Sequence, residues 1–244
     1  MTKLALVTGG NKGIGLATVR LLAERGITVL LGSRDELRGT QAAQQLAEQG
    51  LDVHYIYLDM EDSSSFSTVY EYIAKNYGTL DILINNAGVQ IESETWQTNT
   101  TESIPMEILR KTFDINFFGM VELTQKLLPL LRKSTAGRIV NLTSILGSLE
   151  FHATPGSNTY NTKTFAYNTS KAAVNSFTIH LAHLLKDTAI KVNAAHPGWV
   201  QTDMGGKGAH LSPEQGASTS IELALIDADG PHGAYLHNGN TLPW

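Results

Sequence analysis

Tyr167 and Lys171 stand four residues apart in Tyr167-Asn168-Thr169-Ser170-Lys171, inside a run from Ala166 to Leu185 whose pattern predicts a helix. Residues four apart share one helix face, so a phenol and an ammonium would point into a common cleft. A free phenol ionises near pH 10, about three units above neutrality. A neighbouring ammonium favours phenolate and is expected to lower that value, which suits proton exchange near neutral pH. Tyr-x-x-x-Lys alone is a common surface pair, so other residues must point the same way. Ser144 ends the stretch Asn141-Leu142-Thr143-Ser144, and its hydroxyl could hydrogen-bond a carbonyl oxygen on which negative charge develops. Asn116, in Asp114-Ile115-Asn116-Phe117, falls mid-helix, where Asn is a poor helix former. That position implies a specific polar task or a local kink.

The elements that would position these groups follow from periodicity. Short apolar runs at 4–7, 27–31, 53–58, 82–84, 138–142, 190–194 and 234–236 read as strands. Helical patterns lie between them at 13–24, 35–48, 66–77, 106–131, 166–185 and 212–225, the last opened by Ser212 as N-cap and Pro213 in the first turn. This alternation predicts a single α/β, doubly wound, Rossmann-type domain over residues 1–244, with a parallel sheet of about seven strands and helices on both faces. Strands apolar throughout fit a sheet buried on both sides. Two polar stretches, 90–103 and 147–164, follow strand ends and are expected to shape a ligand pocket, the second being a short insertion before Tyr167.

Thr8-Gly9-Gly10-Asn11-Lys12-Gly13-Ile14-Gly15 follows the first strand and opens the first helix. Glycines there allow a tight turn and close backbone approach to a pyrophosphate, which the helix N-terminus attracts. The spacing is TGxxxGxG, and with it the chain resembles the short-chain dehydrogenase/reductase family. Asn85-Asn86-Ala87-Gly88 matches that family's NNAG motif, His196-Pro197-Gly198-Trp199-Val200-Gln201-Thr202 matches its PG motif, and Ser144, Tyr167, Lys171 and Asn116 match its catalytic group. The resemblance runs from Leu4 to about Thr202. It implies that Tyr167 donates a proton to a substrate carbonyl oxygen that Ser144 steadies. Lys171 would hold the nicotinamide ribose, and Asn116 would hold a relay water. For the cofactor it implies Gly9, Asn11, Lys12, Gly13, Ile14 and Gly15 at the pyrophosphate and Asp59 and Met60 at the adenine. Asn86, Ala87 and Gly88 would lie along the ribose, and Pro197, Gly198, Val200 and Thr202 at the nicotinamide carboxamide.

The second strand ends in Gly32-Ser33-Arg34-Asp35. A carboxylate at position 33 would accept from a ribose 2′-hydroxyl, whereas Ser33 beside the Arg34 guanidinium suits a 2′-phosphate. With Lys12 as a second cation, the resemblance implies NADP(H), although Asp35 facing the ribose would favour NADH. The gap between Ser144 and Tyr167 is longer than usual in the family's main branch and is like that of its monomeric carbonyl reductases, so monomer, dimer and tetramer all stay open.

The expected function is therefore NADPH-dependent, reversible reduction of a small-molecule ketone or aldehyde. The alternatives are an NAD-dependent alcohol dehydrogenase on the same fold and a non-catalytic nucleotide-binding regulator. The 244 residues include no cysteine, which excludes thiol catalysis and fits a reducing, cytoplasmic setting. A net charge of −5 argues against a nucleic-acid partner. No apolar run is long enough for a membrane span, and no signal peptide is evident. His180 and His183, three apart, lack further ligands, so no metal site is expected. Trp96, Trp199 and Trp244 could line a pocket, with packing favoured for Trp96, and a sequon lies at Asn99.

Overall fold

The structure is a computed structural model that describes residues 2–92 and 100–244; Trp96 and Asn99 lie outside them. Among the described residues there are eight strands, β1 (Leu4–Thr8), β2 (Thr28–Ser33), β3 (Val53–Tyr57), β4 (Ile82–Asn85), β5 (Arg138–Leu142), β6 (Lys191–Ala195), β7 (Tyr235–His237) and β8 (Asn240–Thr241). They form one sheet in the order β3-β2-β1-β4-β5-β6-β7-β8. All pairs are parallel except β7 with β8. The chain order reverses between β1 and β4, which is where ligands bind in such sheets.

Side chains on alternate strand positions feed two cores. Leu6 and Leu30 pack with Phe66, Leu123 and Leu185, under α3 (Ser63–Asn76), α5 (Gly119–Leu131) and α7 (Phe165–Leu185). Val7 and Leu31 pack with Val19, Ala43 and Ile221, under α1 (Gly13–Ala23), α2 (Glu36–Ala47) and α8 (Pro213–Leu225). Period-2 strands between two helical layers thus account for the apolar runs. Ser212 caps α8 ahead of Pro213, as the sequence predicts, and with Gln215 at the third helical position it also completes a capping box.

Three departures from the sequence expectation stand out. The sheet has eight strands instead of about seven, because Asn238-Gly239 turns the chain back into β8. Both residues take positive φ (47° and 76°), as a tight two-residue hairpin requires. The helix expected over 106–131 is divided into α4 (Met106–Phe113), a π-helical turn (Asp114–Phe118) and α5, with Asn116 in the wide turn. The insertion at 147–164 is partly structured: α6 (Leu149–Ala153) is capped by Ser148, and His152 Nε2 lies 2.9 Å from the Leu146 carbonyl oxygen.

Candidate active site

On α7, which packs on β6 and on the 3-10 turn that follows β5, Tyr167 lies in the first turn and Lys171 in the second. Both are buried, at 8 % and 4 % exposure, and the Lys171 amine is 5.7 Å from the centre of the Tyr167 ring. The amine donates to the Leu142 carbonyl at the end of β5 (3.0 Å). Burial penalises the charged form of each group. It pushes the Lys171 amine down to about 8 and the Tyr167 phenol up to about 12, with a hydrogen bond to Ser144 drawing the phenol part-way back. The sequence expectation of a lowered phenol pKa is therefore reversed, because desolvation of the phenolate is the largest influence and Ser144 offsets only part of it.

Ser144 is itself buried and caps a short 3-10 turn, its hydroxyl accepting from Leu146 N–H (3.2 Å). Asn116 reaches across from the π-helical turn. Its Oδ1 accepts from Val89 N–H (2.7 Å), while Nδ2 donates to the Val89 carbonyl (2.9 Å) and to Ser170 Oγ (3.0 Å). A Cβ on Gly88 would stand 3.3 Å from both Asn116 Oδ1 and Lys171 Nζ, so these two groups face the same small recess. The wide turn thus serves the polar task that an Asn in mid-helix implies.

At the glycine-rich turn, Gly9 and Gly13 have positive φ (65° and 54°), and a Cβ on Gly15 would fall 2.2 Å from the Gly9 carbonyl oxygen. Lys12 holds the N-cap position of α1, and the first turn, which includes Ile14, has neither a side-chain cap nor an acidic residue. Asp35 and Asp62, by contrast, cap α2 and α3. The uncapped amide donors of α1 suit an anion. Asn11 is half-buried in the same turn. Asn86 Nδ2 donates to the carbonyls of Thr8 (2.8 Å) and Gly9 (3.2 Å), so this side chain shapes the turn.

At the end of β2, Ser33 is buried and Arg34 is exposed, pairing with Glu61 (3.2 Å). The Asp35 carboxylate accepts from Arg38 N–H (3.0 Å) and pairs with the Arg38 guanidinium (3.4 Å). Lys12 pairs with Asp203 (2.5 Å), and both side chains are largely exposed. Such an exposed pair is weak and does not withhold Lys12 from a stronger anion. Asp59 accepts from Glu61 N–H (3.1 Å) and leaves the capping of α3 to Asp62. Met60 is buried with its carbonyl against Gly119. Ala87 N–H donates to Thr8 Oγ1 (2.9 Å).

Beyond β6, Gly198 has φ of 81°, Val200 is buried, and Thr202 Oγ1 accepts from Gly205 N–H (3.1 Å). The Thr202 methyl would meet a Cβ on Gly13 at 3.1 Å, so this segment closes over the glycine-rich turn. Pro197 lies between Gly198 and His196, a residue the sequence alone did not single out. The His196 Nδ1 accepts from Ile145 N–H (3.2 Å) and weakly from Gly198 N–H (3.4 Å). Burial and the adjacent His237 push its pKa down to about 3, so it is uncharged at neutral pH. One imidazole therefore ties the Ser144 turn to the Pro197-Gly198 turn. Trp199 is half exposed and bonds to the Gly205 carbonyl (2.8 Å), and Trp244 stacks on Tyr235.

The model for the short chain dehydrogenase family matches residues 3–210. The chain belongs to the short-chain dehydrogenase family. It is 36 % identical to Carbonyl reductase [NADPH] 1 of Homo sapiens over 99 % of this chain and 98 % of that one. It resembles the structure of salutaridine reductase from Papaver somniferum (TM-score 0.81, 29 % identity, 96 % and 99 % of the two chains). It also resembles NADPH-bound carbonyl reductase from chicken fatty liver (TM-score 0.84, 25 % identity, 100 % and 99 %). The chain is thus a carbonyl reductase-like member of an oxidoreductase family, and no described helix is long and apolar enough to cross a membrane.

Replacing Asn116 by Leu leaves the Val89 N–H and carbonyl without their partners. Urea unfolding of Asn116→Leu is expected to show a loss of about 1–3 kcal/mol for each group left unpaired. A total loss below about 1 kcal/mol would mean that both find other partners.

Proposed function

We propose that residues 1–244 act as one catalytic domain, a cytoplasmic NADPH-dependent carbonyl reductase for small-molecule ketones or aldehydes. The observation that carries this reading is a buried phenol kept protonated at neutral pH, hydrogen-bonded to Ser144, with Lys171 one helical turn on. A phenol that stays protonated is poised to donate, which is the role reduction needs. When bound, the cofactor supplies a hydride to the carbonyl carbon.

Tyr167 gives its hydroxyl proton to the carbonyl oxygen. The Ser144 hydroxyl donates a hydrogen bond to the same oxygen, where charge develops. The Lys171 amine, beside Gly88 and Asn116, returns a proton to the phenolate through water, and the reverse sequence oxidises an alcohol. For the dinucleotide, the glycine-rich turn with the uncapped start of α1 holds the pyrophosphate. Ser33, Arg34 and Lys12 take the 2′-phosphate, and Asp59 and Met60 the adenine. Asn86, Ala87 and Gly88 line the ribose path, Lys171 and Tyr167 hold the nicotinamide ribose, and Pro197, Gly198, Val200 and Thr202 the carboxamide. The carboxylate that would argue for NADH, Asp35, is spent on capping α2 and on Arg38. The relatives' printed names, Carbonyl reductase [NADPH] 1 among them, support the same reading.

Three outcomes are expected. Tyr167→Phe lowers turnover by about 10²–10⁴-fold in a carbonyl screen followed at 340 nm, with NADPH affinity little changed; near-normal turnover would remove Tyr167 from its role. Arg34→Asp moves the preference from NADPH to NADH, read as the ratio of kcat/KM values, and an unmoved ratio would assign the phosphate to other residues. Lys171, lowered by burial, loses its proton before Tyr167 as pH rises. Reductive kcat should therefore fall as pH passes about 8 while alcohol oxidation gains, and a flat profile across that interval would take Lys171 out of the relay.

A further inference from the structure

Helix α7 begins without a side-chain cap of its own. Thr164 sits at the N-cap position, but its hydroxyl donates to Asn168 Oδ1 (2.8 Å). The first-turn amides go instead to a residue 74 positions earlier: Ala166 N–H donates to Glu92 Oε1 (2.8 Å) and Tyr167 N–H to Glu92 Oε2 (3.0 Å). Glu92 follows β4 and is only 7 % exposed. A carboxylate this enclosed needs compensation, which it finds in two charge-assisted hydrogen bonds and the partial positive charge of the helix start.

We propose that Glu92 is a positioning residue for the proton donor, which deepens and rests on the assignment of Tyr167 to that role. Each carboxylate oxygen takes one of two consecutive N–H groups. A serine or threonine cap holds the chain end through one oxygen. Glu92 resists rotation of the whole first turn about its axis, and so fixes the direction in which Tyr167 leaves the backbone. The other side of the same residue is held too. Ser170 Oγ donates to the Tyr167 carbonyl (2.8 Å) and accepts from Asn116 Nδ2, which also donates to the Val89 carbonyl. Val89 and Glu92 are three residues apart, so one short segment after β4 bonds the N–H of Tyr167 directly and is tied to its C=O through Asn116 and Ser170. That segment continues into the polar stretch expected to border the substrate. A phenol must meet its acceptor to within a fraction of an ångström, and an error of about 1 Å costs about a hundredfold in rate.

The experiment uses the full chain, Glu92→Ala and Glu92→Gln, with active sites counted by NADPH fluorescence titration. Amide exchange of residues 166 and 167 is read by mass spectrometry or NMR. In Glu92→Ala these two amides exchange faster, kcat per NADPH-binding site falls by about tenfold or more, and NADPH affinity and the carbonyl KM change little. Glu92→Gln, which keeps one acceptor oxygen, recovers part of kcat. Loss of folded protein alone would lower the number of binding sites without changing kcat per site. Unchanged exchange at 166 and 167, or faster exchange with kcat per site within about twofold of wild type, overturns the inference while leaving the reductase assignment standing. A wild-type chain that binds NADPH yet consumes none across ketones and aldehydes overturns that assignment, and the inference with it.

Discussion

An amine enclosed at the carboxyl ends of β4 and β5 governs the architecture around it. Lys171 keeps one bond to the Leu142 carbonyl and otherwise depends on space that neighbouring residues must leave vacant. Gly88 leaves it on one side, facing Asn116 and the amine. Gly147 packs against the backbone of the same residue, where a Cβ would fall 2.8 Å from the Lys171 carbonyl carbon. Two glycines from distant loops are thus fixed by one residue, Gly88 by its amine and Gly147 by its main chain. The same enclosure drives both members of the Tyr167–Lys171 pair toward their uncharged forms.

Much of the remaining polarity belongs to the frame. Thr8 Oγ1 accepts from the N–H groups of Asn86 and Ala87, and the Asn86 amide holds the Gly9 turn from the other side. Asn116 joins the exit of β4 to α7, and His196 joins the exit of β5 to that of β6. These bonds run between loops that meet only because parallel strands end on one edge. Donors left for a ligand concentrate in the phenol, the Ser144 hydroxyl, the Lys171 amine and the open start of α1. Rigid surroundings with few free donors are what orientation-dependent chemistry requires.

Periodicity carries the sheet-and-helix order well, because strands buried on both faces leave apolar runs and the helices between them are amphipathic. It also carries the Tyr167–Lys171 pairing and the tight geometry of the glycine-rich turn, which depend on spacing within single elements. Asn116 was readable as an anomaly in a helix, though only coordinates reveal the wide turn that resolves it. The eighth strand had a local signal in Asn238-Gly239, a strong hairpin dipeptide, but β8 is two residues long and carries no pattern of its own. Glu92 and His196 left no signal, since each acts through backbone groups contributed by segments remote in sequence. The phenol's upward shift was hidden for the same reason: spacing reports which charge is near, whereas burial depends on everything packed around it.

The site is layered by the strength of its restraints. Asn116, Lys171 and Thr8 are almost wholly enclosed, and a lost partner there strands a polar group away from water. The segment beyond β6 is held differently: Lys12–Asp203 is an exposed ion pair, and Trp199 and Met204 present about half their surface to solvent. Changes there cost little stability, because exposed pairs and surface side chains contribute little to it. The 147–164 insertion is intermediate, anchored through Ser148 and His152 yet bearing the exposed Leu149 and Tyr160. In the reaction proposed above, the proton-moving groups belong to the enclosed layer, and substitutions in the exposed segments leave their restraints untouched.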